Sequence, residues 1–317
     1  MTGMIWQQVR TSSNVARHSF GSPKPVLPKL AVCVSPDYRS RVVAISSGKG
    51  GVGKTNLAVN LGLVLAQRGL RVALLDADLG TANADVMLGM RPRYHLQHVV
   101  TGRRTLAEIV VEGPFGLRLV PGASGLPDLV DLPDEQRLAL LRSLLVLDGT
   151  VDLLLIDTNA GVGHNVIQFI LAARELLLIT TPEPTAVTDA YALLKILSNY
   201  DASVTIRLVV NCVRSRGDGE DATRRLVSAA HTFLGTEVQV AGYLPFDRSI
   251  VEAVTMQLPL MQSHPRCPAA LAIRDLAEYL WAEAPQCAEA TGISQFLRHV
   301  LSIGSRPATL EGKETAV

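Results

Sequence analysis

The chain has 317 residues, 48 % of them hydrophobic, enough to build a sizeable core in one large α/β domain or two small ones. A formal net charge of +1 argues against a strongly electrostatic nucleic-acid binder while leaving room for a local patch, and 4 % aromatics leave few rings on which single-stranded bases could stack. Cys33, Cys212, Cys267 and Cys287 form no Cys-x2-Cys pair and have no histidine at zinc-ligand spacing, so free thiols in a reducing compartment are expected.

No long apolar run marks the N-terminus as a signal peptide, and nothing approaches 18 uncharged apolar residues, so a cytosolic chain without a spanning helix is expected. Residues 1–40 carry Ser, Pro and Arg with little periodicity and read as a flexible tail. Within them Ile5, Trp6 and Val9 offer a short docking segment as the alternative.

From Val42 to Ile45 a β-branched apolar run predicts a buried strand. It leads into Gly48-Lys-Gly-Gly-Val-Gly53-Lys54-Thr55 and then a helix whose Leu57, Leu61, Val64 and Leu65 share one face. Strand, Gly-x4-Gly-Lys-Thr and helix in that order predict a phosphate-binding loop. Its glycines permit positive φ and close approach, and its N–H groups gather at the positive end of a helix dipole. The expected phosphate-binding set is Gly48, Lys49, Gly50, Gly51, Val52, Gly53, Lys54, Thr55 and Asn56. Lys54 is expected on the β- and γ-phosphates, with the Thr55 hydroxyl on Mg²⁺.

Gly69 ends this helix, and Val72 to Asp76 predicts a second buried strand leading to Asp76 and Asp78. Residues Leu79 to Asn83 read as a loop and Asp85 to Gly89 as a short helical piece. Thr105–Val111 suggests a helix, Leu117–Val120 a strand and Asp134–Val146 a long helix. Val151 to Asp157 is an apolar strand leading to a carboxylate, the pattern of a magnesium-holding aspartate, and Thr158 to Gly161 reads as a turn. Further strands are expected at Leu176–Thr181, Val204–Asn211 and Val238–Leu244, and helices at Thr185–Leu197, Ala222–Phe233, Arg248–Val254 and Ala269–Trp281. The segment Arg216-Gly-Asp-Gly219 reads as a loop.

Strands without polar alternation, alternating with helices, require a mostly parallel, doubly wound α/β sheet covered on both faces. Ligands of such sheets sit at the carboxyl ends of the strands. Gly48, Asp76, Asp78, Asp157, Asn211 and Pro245, Phe246 and Asp247 all fall just past expected strand ends and should meet in one cleft. Phosphoryl transfer needs positioning and charge neutralisation, which Lys54, Mg²⁺ and the loop amides would supply. Asp78 is the residue chosen to orient water, with Asp76 supporting the metal indirectly. Lys49 would crowd Lys54 on the same phosphate; it either reaches a partner's nucleotide across a dimer interface or is a solvated charge.

Lys49-Gly-Gly-Val-Gly-Lys-Thr55 resembles the deviant Walker A motif of the MinD/ParA ATPases. Leu75 to Gly80 with Asn83 is similar to that family's switch I, and Ile156 to Gly161 to its switch II. Thr180 to Ala192 and Gly242 to Asp247 most resemble the flagellar-number regulators called FlhG, FleN or YlxH. The resemblance spans about residues 41–283 and implies a homodimer that sandwiches two ATP molecules, with Mg²⁺ as cofactor. Lys49 would then touch the other subunit's nucleotide, Asp78 position the water, Asn211 read the adenine edge, and Pro245–Asp247 lie beside the base. It also implies partners, either a signal-recognition-type flagellar GTPase or flagellar regulator and switch proteins. Asn159 departs from the family's small residue or proline, and Trp6 to Arg10 matches poorly the motif with which relatives activate that GTPase.

Residues 284–317 read as a linker, an amphipathic helix and a disordered end. Ile293, Phe296, Leu297, Val300 and Leu301 fall at helical spacing. The resemblance suggests that this helix targets the inner membrane surface once a dimer presents two copies; the alternative packs it on the parent domain. The rival functions are a chromosome- or plasmid-partitioning or division-site ATPase, a P-loop metabolic enzyme, an iron–sulfur ATPase and an ATP-binding scaffold.

Overall fold

The computed structural model describes residues 40–78, 82–122, 132–200, 204–282 and 292–304. The expected N-terminal tail (save Ser40), the linker, the disordered end and Cys33 and Cys287 lie outside these residues. The strands are β1 (Arg41–Ser47), β2 (Val72–Ala77), β3 (Val111–Glu112), β4 (Arg118–Val120), β5 (Leu153–Ala160), β6 (Glu175–Thr180), β7 (Thr205–Val213) and β8 (Gln239–Pro245). The helices are α1 (Lys54–Gln67), α2 (Ala84–Met87), α3 (Leu96–Val100), α4 (Leu106–Ile109), α5 (Asp134–Ser143), α6 (His164–Ala173), α7 (Pro184–Ser198), α8 (Arg216–Leu234), α9 (Arg248–Thr255), α10 (Leu260–Ser263), α11 (Pro268–Ala282) and α12 (Ile293–Gly304).

The strands form one sheet in the order β3-β4-β2-β5-β1-β6-β7-β8, parallel throughout except for the β3–β4 edge pair. Every residue of β1, β2 and β6 is buried, as continuous apolar runs between two helix layers demand. The layer of α1, α2, α9, α10 and α11 shares one core, and that of α3 to α6, α8 and α12 the other. Register sets Asp157 beside both Ile45 and Asp76, so the carboxyl ends of β1, β5 and β2 stand abreast.

The opposite end of the sheet is pinned by charge. Glu175 Oε2 sits 2.6 Å from Arg41 Nη2 and 2.9 Å from Arg207 Nη1, and Arg41 Nη1 donates to the Leu280 carbonyl at 2.6 Å. All three charged groups are buried, so one carboxylate ties β1, β6, β7 and the end of α11 together.

Several expected boundaries move. Arg216 to Gly219 is the first turn of α8, not a loop: Ser215 caps it by accepting from the Asp218 N–H, and a Cβ at Gly219 would sit 2.8 Å from Tyr243. Thr158 to Ala160 continues β5 instead of turning, and β7 runs past Asn211 to Val213 through left-handed Cys212 at φ 56. Thr105–Val111 shrinks to the single turn α4, because Val111 and Glu112 pair with β4.

Residues 293–304 are helical as expected, and the apolar stripe lies on the parent domain. Ile293, Phe296, Leu297 and Val300 are buried, and the Phe296 ring stacks on Phe169 of α6 at 6.2 Å. Ser294 hydrogen-bonds Asp148 at the same seam. No helix among the described residues is long and apolar enough to cross a membrane.

Candidate functional site

β1 ends in Ser47, whose hydroxyl donates to the Lys49 carbonyl at 2.8 Å and folds the following loop back. The loop then needs glycine for two different reasons. Gly48 lies against α7 so closely that a Cβ would fall 2.1 Å from the Asp189 carbonyl carbon and oxygen. Gly51 and Gly53 adopt φ of 78° and 95°, and Gly53 is the left-handed residue from which α1 springs. Val52 is buried and Gly50 and Gly51 face solvent, so the loop arches over the start of α1.

Asn211 braces this arch. Its Nδ2 donates to the Val52 carbonyl at 2.8 Å, and its Oδ1 accepts the Cys212 N–H at 2.8 Å. Behind the loop, Asn60 Nδ2 donates to the Asn56 carbonyl at 2.8 Å, and its Oδ1 accepts the Met261 N–H at 3.1 Å.

Under the loop lie Lys54 and two carboxylates, Asp157 within β5 and Asp76 near the end of β2. Lys54 is buried, which lowers its pKa, while Asp157 and Asp78 pull it back up. Asp157 is fully buried, and burial raises its pKa to about 7 despite the nearby Thr55 hydroxyl and Lys54. Neither Asp157 oxygen has a hydrogen-bond partner of good geometry, although the Thr55 hydroxyl lies close enough to favour the ionised form. A buried carboxylate left in this state is costly unless a ligand completes it.

Asp76 differs. Its Oδ2 accepts the Asn83 and Ala84 N–H groups, both at 3.0 Å, and its Oδ1 accepts the Asp78 N–H at 3.2 Å. Burial raises its pKa to about 6, and these N–H groups limit the rise. Asp76 thus ties the Asp78 backbone to Asn83 and Ala84 at the start of α2. Gly122, two residues past β4, abuts Asp76, since a Cβ there would lie 2.7 Å from the Asp76 carbonyl oxygen.

Lys49 is held within its own subunit. Its Nζ lies 2.7 Å from Glu183 Oε2 and 2.9 Å from Thr185 Oγ1 at the start of α7. No site role for Glu183 or Thr185 is legible in the sequence alone; the available signal is an acid and a hydroxyl flanking Pro184 where a helix begins after a strand. Pro245 closes β8, Phe246 is half exposed, and Arg214 Cζ stands 5.5 Å from the Phe246 ring. Asp247 caps two helices: Oδ1 accepts Ser249 N–H at 2.9 Å and Oδ2 accepts Ala269 N–H at 3.1 Å. Burial raises the Asp247 pKa, and those donors outweigh it, so the net shift is downward.

The residues fit a magnesium–triphosphate ligand. A left-handed glycine loop supplies N–H groups, buried Lys54 supplies charge, and Asp157 supplies an uncompleted carboxylate beside the Thr55 hydroxyl. Among the described residues no group of three or more His, Cys, Asp or Glu could hold a metal by itself. A hydroxyl and a carboxylate sharing the ion with phosphate oxygens are a donor set suited to Mg²⁺.

Residues 43–260 match the model of the CobQ/CobB/MinD/ParA nucleotide binding domain. The antiactivator FleN of Pseudomonas aeruginosa is 41 % identical over 238 residues, 75 % of this chain and 85 % of that protein. The flagellum site-determining protein YlxH of Helicobacter pylori is 36 % identical over 60 % of this chain and 64 % of its own length. Among solved structures, the septum site-determining protein MinD complexed with Mg-ADP from Pyrococcus horikoshii superposes with a TM-score of 0.62 at 25 % identity, covering 76 % of this chain and 96 % of that one.

Proposed function

Since the chain belongs to the CobQ/CobB/MinD/ParA nucleotide-binding family and is an ATPase of the MinD/ParA type, we propose that it works as an ATP-driven dimerisation switch regulating flagellar number or placement. The observation that carries the nucleotide reading is the bare, buried Asp157 carboxylate facing Lys54 and Thr55 under a left-handed glycine loop. Similarity to an antiactivator and a flagellum site-determining protein supports the flagellar reading over partitioning.

The loop amides and Lys54 hold the phosphates and offset the charge that spreads over the γ-phosphoryl oxygens as it transfers. Thr55 and Asp157 would hold Mg²⁺, which when bound would neutralise phosphate charge. Asp78 orients a water for in-line attack on the γ-phosphorus; the bond to the bridging oxygen breaks, giving ADP and inorganic phosphate. Asp76 keeps Asp78 in place through its contact with the Asp78 N–H, while its other oxygen holds Asn83 and Ala84. Half-exposed Phe246 beside Arg214 offers a face to the adenine, and Asn211 keeps a second Nδ2 hydrogen for the base edge while it braces Val52. In the dimer Lys49 leaves Glu183 and Thr185 for the other subunit's nucleotide.

The same switch controls α12. Its apolar residues are spent on α6, each contributing about 1.5–3 kcal/mol of burial. Inserting them into a bilayer returns a similar amount, so docking and membrane insertion are near balance and two copies on a dimer tip it.

Size-exclusion chromatography with light scattering tests the switch. With ATP and Mg²⁺, Asp78→Ala should persist as a dimer and Lys54→Ala should remain a monomer. An Asp78→Ala protein that stays monomeric refutes the mechanism.

A further inference from the structure

Residues 91–104 contain four arginines, two histidines and no acid. With +1 for the whole chain and +4 in this segment, the remainder carries −3. The segment folds as α3 and its flanks, so Arg91 and Arg93 precede the helix and Arg103 and Arg104 follow it. Arg91, Arg93 and Arg103 are exposed, and neither Arg91 nor Arg103 makes an ion pair among the described residues. Arg104 is committed: it donates to Tyr94 Oη at 2.8 Å and to Glu108 Oε1 at 3.0 Å. The other acid nearby, Glu112, stands opposite Arg118 on the edge pair of strands.

We propose that Arg91, Arg93 and Arg103 form a docking surface for anionic phospholipid headgroups, acting beside α12. The inference rests on the membrane reading of α12 given above. Both elements lie over the same face of the sheet: Leu96 and Val99 of α3, Leu140 and Leu141 of α5, and Phe296 and Val300 of α12 belong to one core. Helix α5 touches both α3 and α12. The outward side of α12 adds exposed Arg298. A single short apolar helix binds a bilayer weakly, and a polybasic patch beside it supplies the second signal that stable attachment requires. Nucleic acid is the poorer fit. The Tyr94 ring is engaged by guanidinium groups, with Arg93 Cζ at 5.3 Å and Arg104 Cζ at 4.3 Å from its centroid, so it is not a free stacking platform for a base.

The test is sedimentation of the full-length protein, with ATP and Mg²⁺, on vesicles of pure phosphatidylcholine and on vesicles containing about one third phosphatidylglycerol. The variant is Arg91→Gln with Arg93→Gln and Arg103→Gln, which leaves Arg104, the loop and α12 untouched. At about fivefold per arginine, partitioning onto the anionic vesicles should fall about a hundredfold, with binding to phosphatidylcholine and the rate of ATP hydrolysis in solution unchanged. High salt should reproduce the loss in the wild type. A variant that binds anionic vesicles as the wild type does overturns the lipid surface alone. A wild type that sediments with neither vesicle overturns the membrane reading of α12 and this inference with it. A wild type that retards duplex DNA, with the triple variant failing to do so while keeping its vesicle binding, assigns the arginines to nucleic acid and overturns the proposal.

Discussion

Replacing Asp157 by asparagine tests the site's electrostatics directly. The folded protein holds the Asp157 proton up to about pH 7, whereas the ordinary aspartate value is 3.8. Between those values the folded state binds more protons than the unfolded chain, so the stability of the nucleotide-free protein falls as pH rises, and above about pH 7 the penalty is complete. Full ionisation then costs about 4 kcal/mol, of which about 2 kcal/mol remains at about pH 5. The substituted side chain would carry no charge, and its buried unpaired amide replaces a protonated carboxyl that is equally buried and unpaired, so that cost largely cancels. Asp157→Asn should therefore be more stable than wild type by about 4 kcal/mol at about pH 8, and by about 2 kcal/mol at about pH 5. The Asp76 carboxyl, with a pKa of about 6, is present in both proteins and largely cancels in the comparison. Urea unfolding of nucleotide-free protein, followed by circular dichroism, measures the difference. A gap that is the same at both pH values, or a variant less stable at the higher pH, refutes the reasoning.

Other consequences follow from packing. Gly48→Ala places a Cβ 2.1 Å from the Asp189 backbone, which no side-chain adjustment relieves, so it should cost about 3 kcal/mol or more in thermal unfolding and abolish binding of a fluorescent ATP analogue. Gly51→Ala meets no atom within 4 Å and is strained only by its φ of 78°, so it should cost about 1–2 kcal/mol in the same assay. Phe296→Ala removes a ring stacked on Phe169 and should weaken α12 docking by about 3–5 kcal/mol, seen as faster limited proteolysis between residues 282 and 293 with ATP turnover in solution retained. Glu175→Ala strands two buried guanidinium groups and should lower stability by about 3–5 kcal/mol, read from the urea midpoint.

What the sequence disclosed was carried by local pattern. Continuous apolar runs ending in Gly48, Asp76 and Asp157 predicted β1, β2 and β5, and parallel pairing then forces those three ends together. What it withheld depends on distant contacts. The pieces α3, α10 and β3 are two to five residues long, too short for either periodicity to register. Gly217 and Gly219 read as a loop because glycine disfavours helices, yet Ser215 capping and the Tyr243 contact outweigh that preference. The Glu183 and Thr185 partners of Lys49 lie more than 130 residues away, and nothing local in the loop announces them. The bond with which Asn211 braces Val52 and the bonds with which Asp247 caps two helices become visible only in three dimensions.

The central claim is that the loop between β1 and α1 grips a nucleoside triphosphate. Isothermal titration calorimetry of the purified protein with ATP in the presence of magnesium measures it most directly. Wild type should take up about one ATP per chain, and Lys54→Ala should bind at least about a hundredfold more weakly, the loss of a buried charge-assisted phosphate contact. Absence of ATP uptake by the wild type, or equal uptake by Lys54→Ala, would contradict the account.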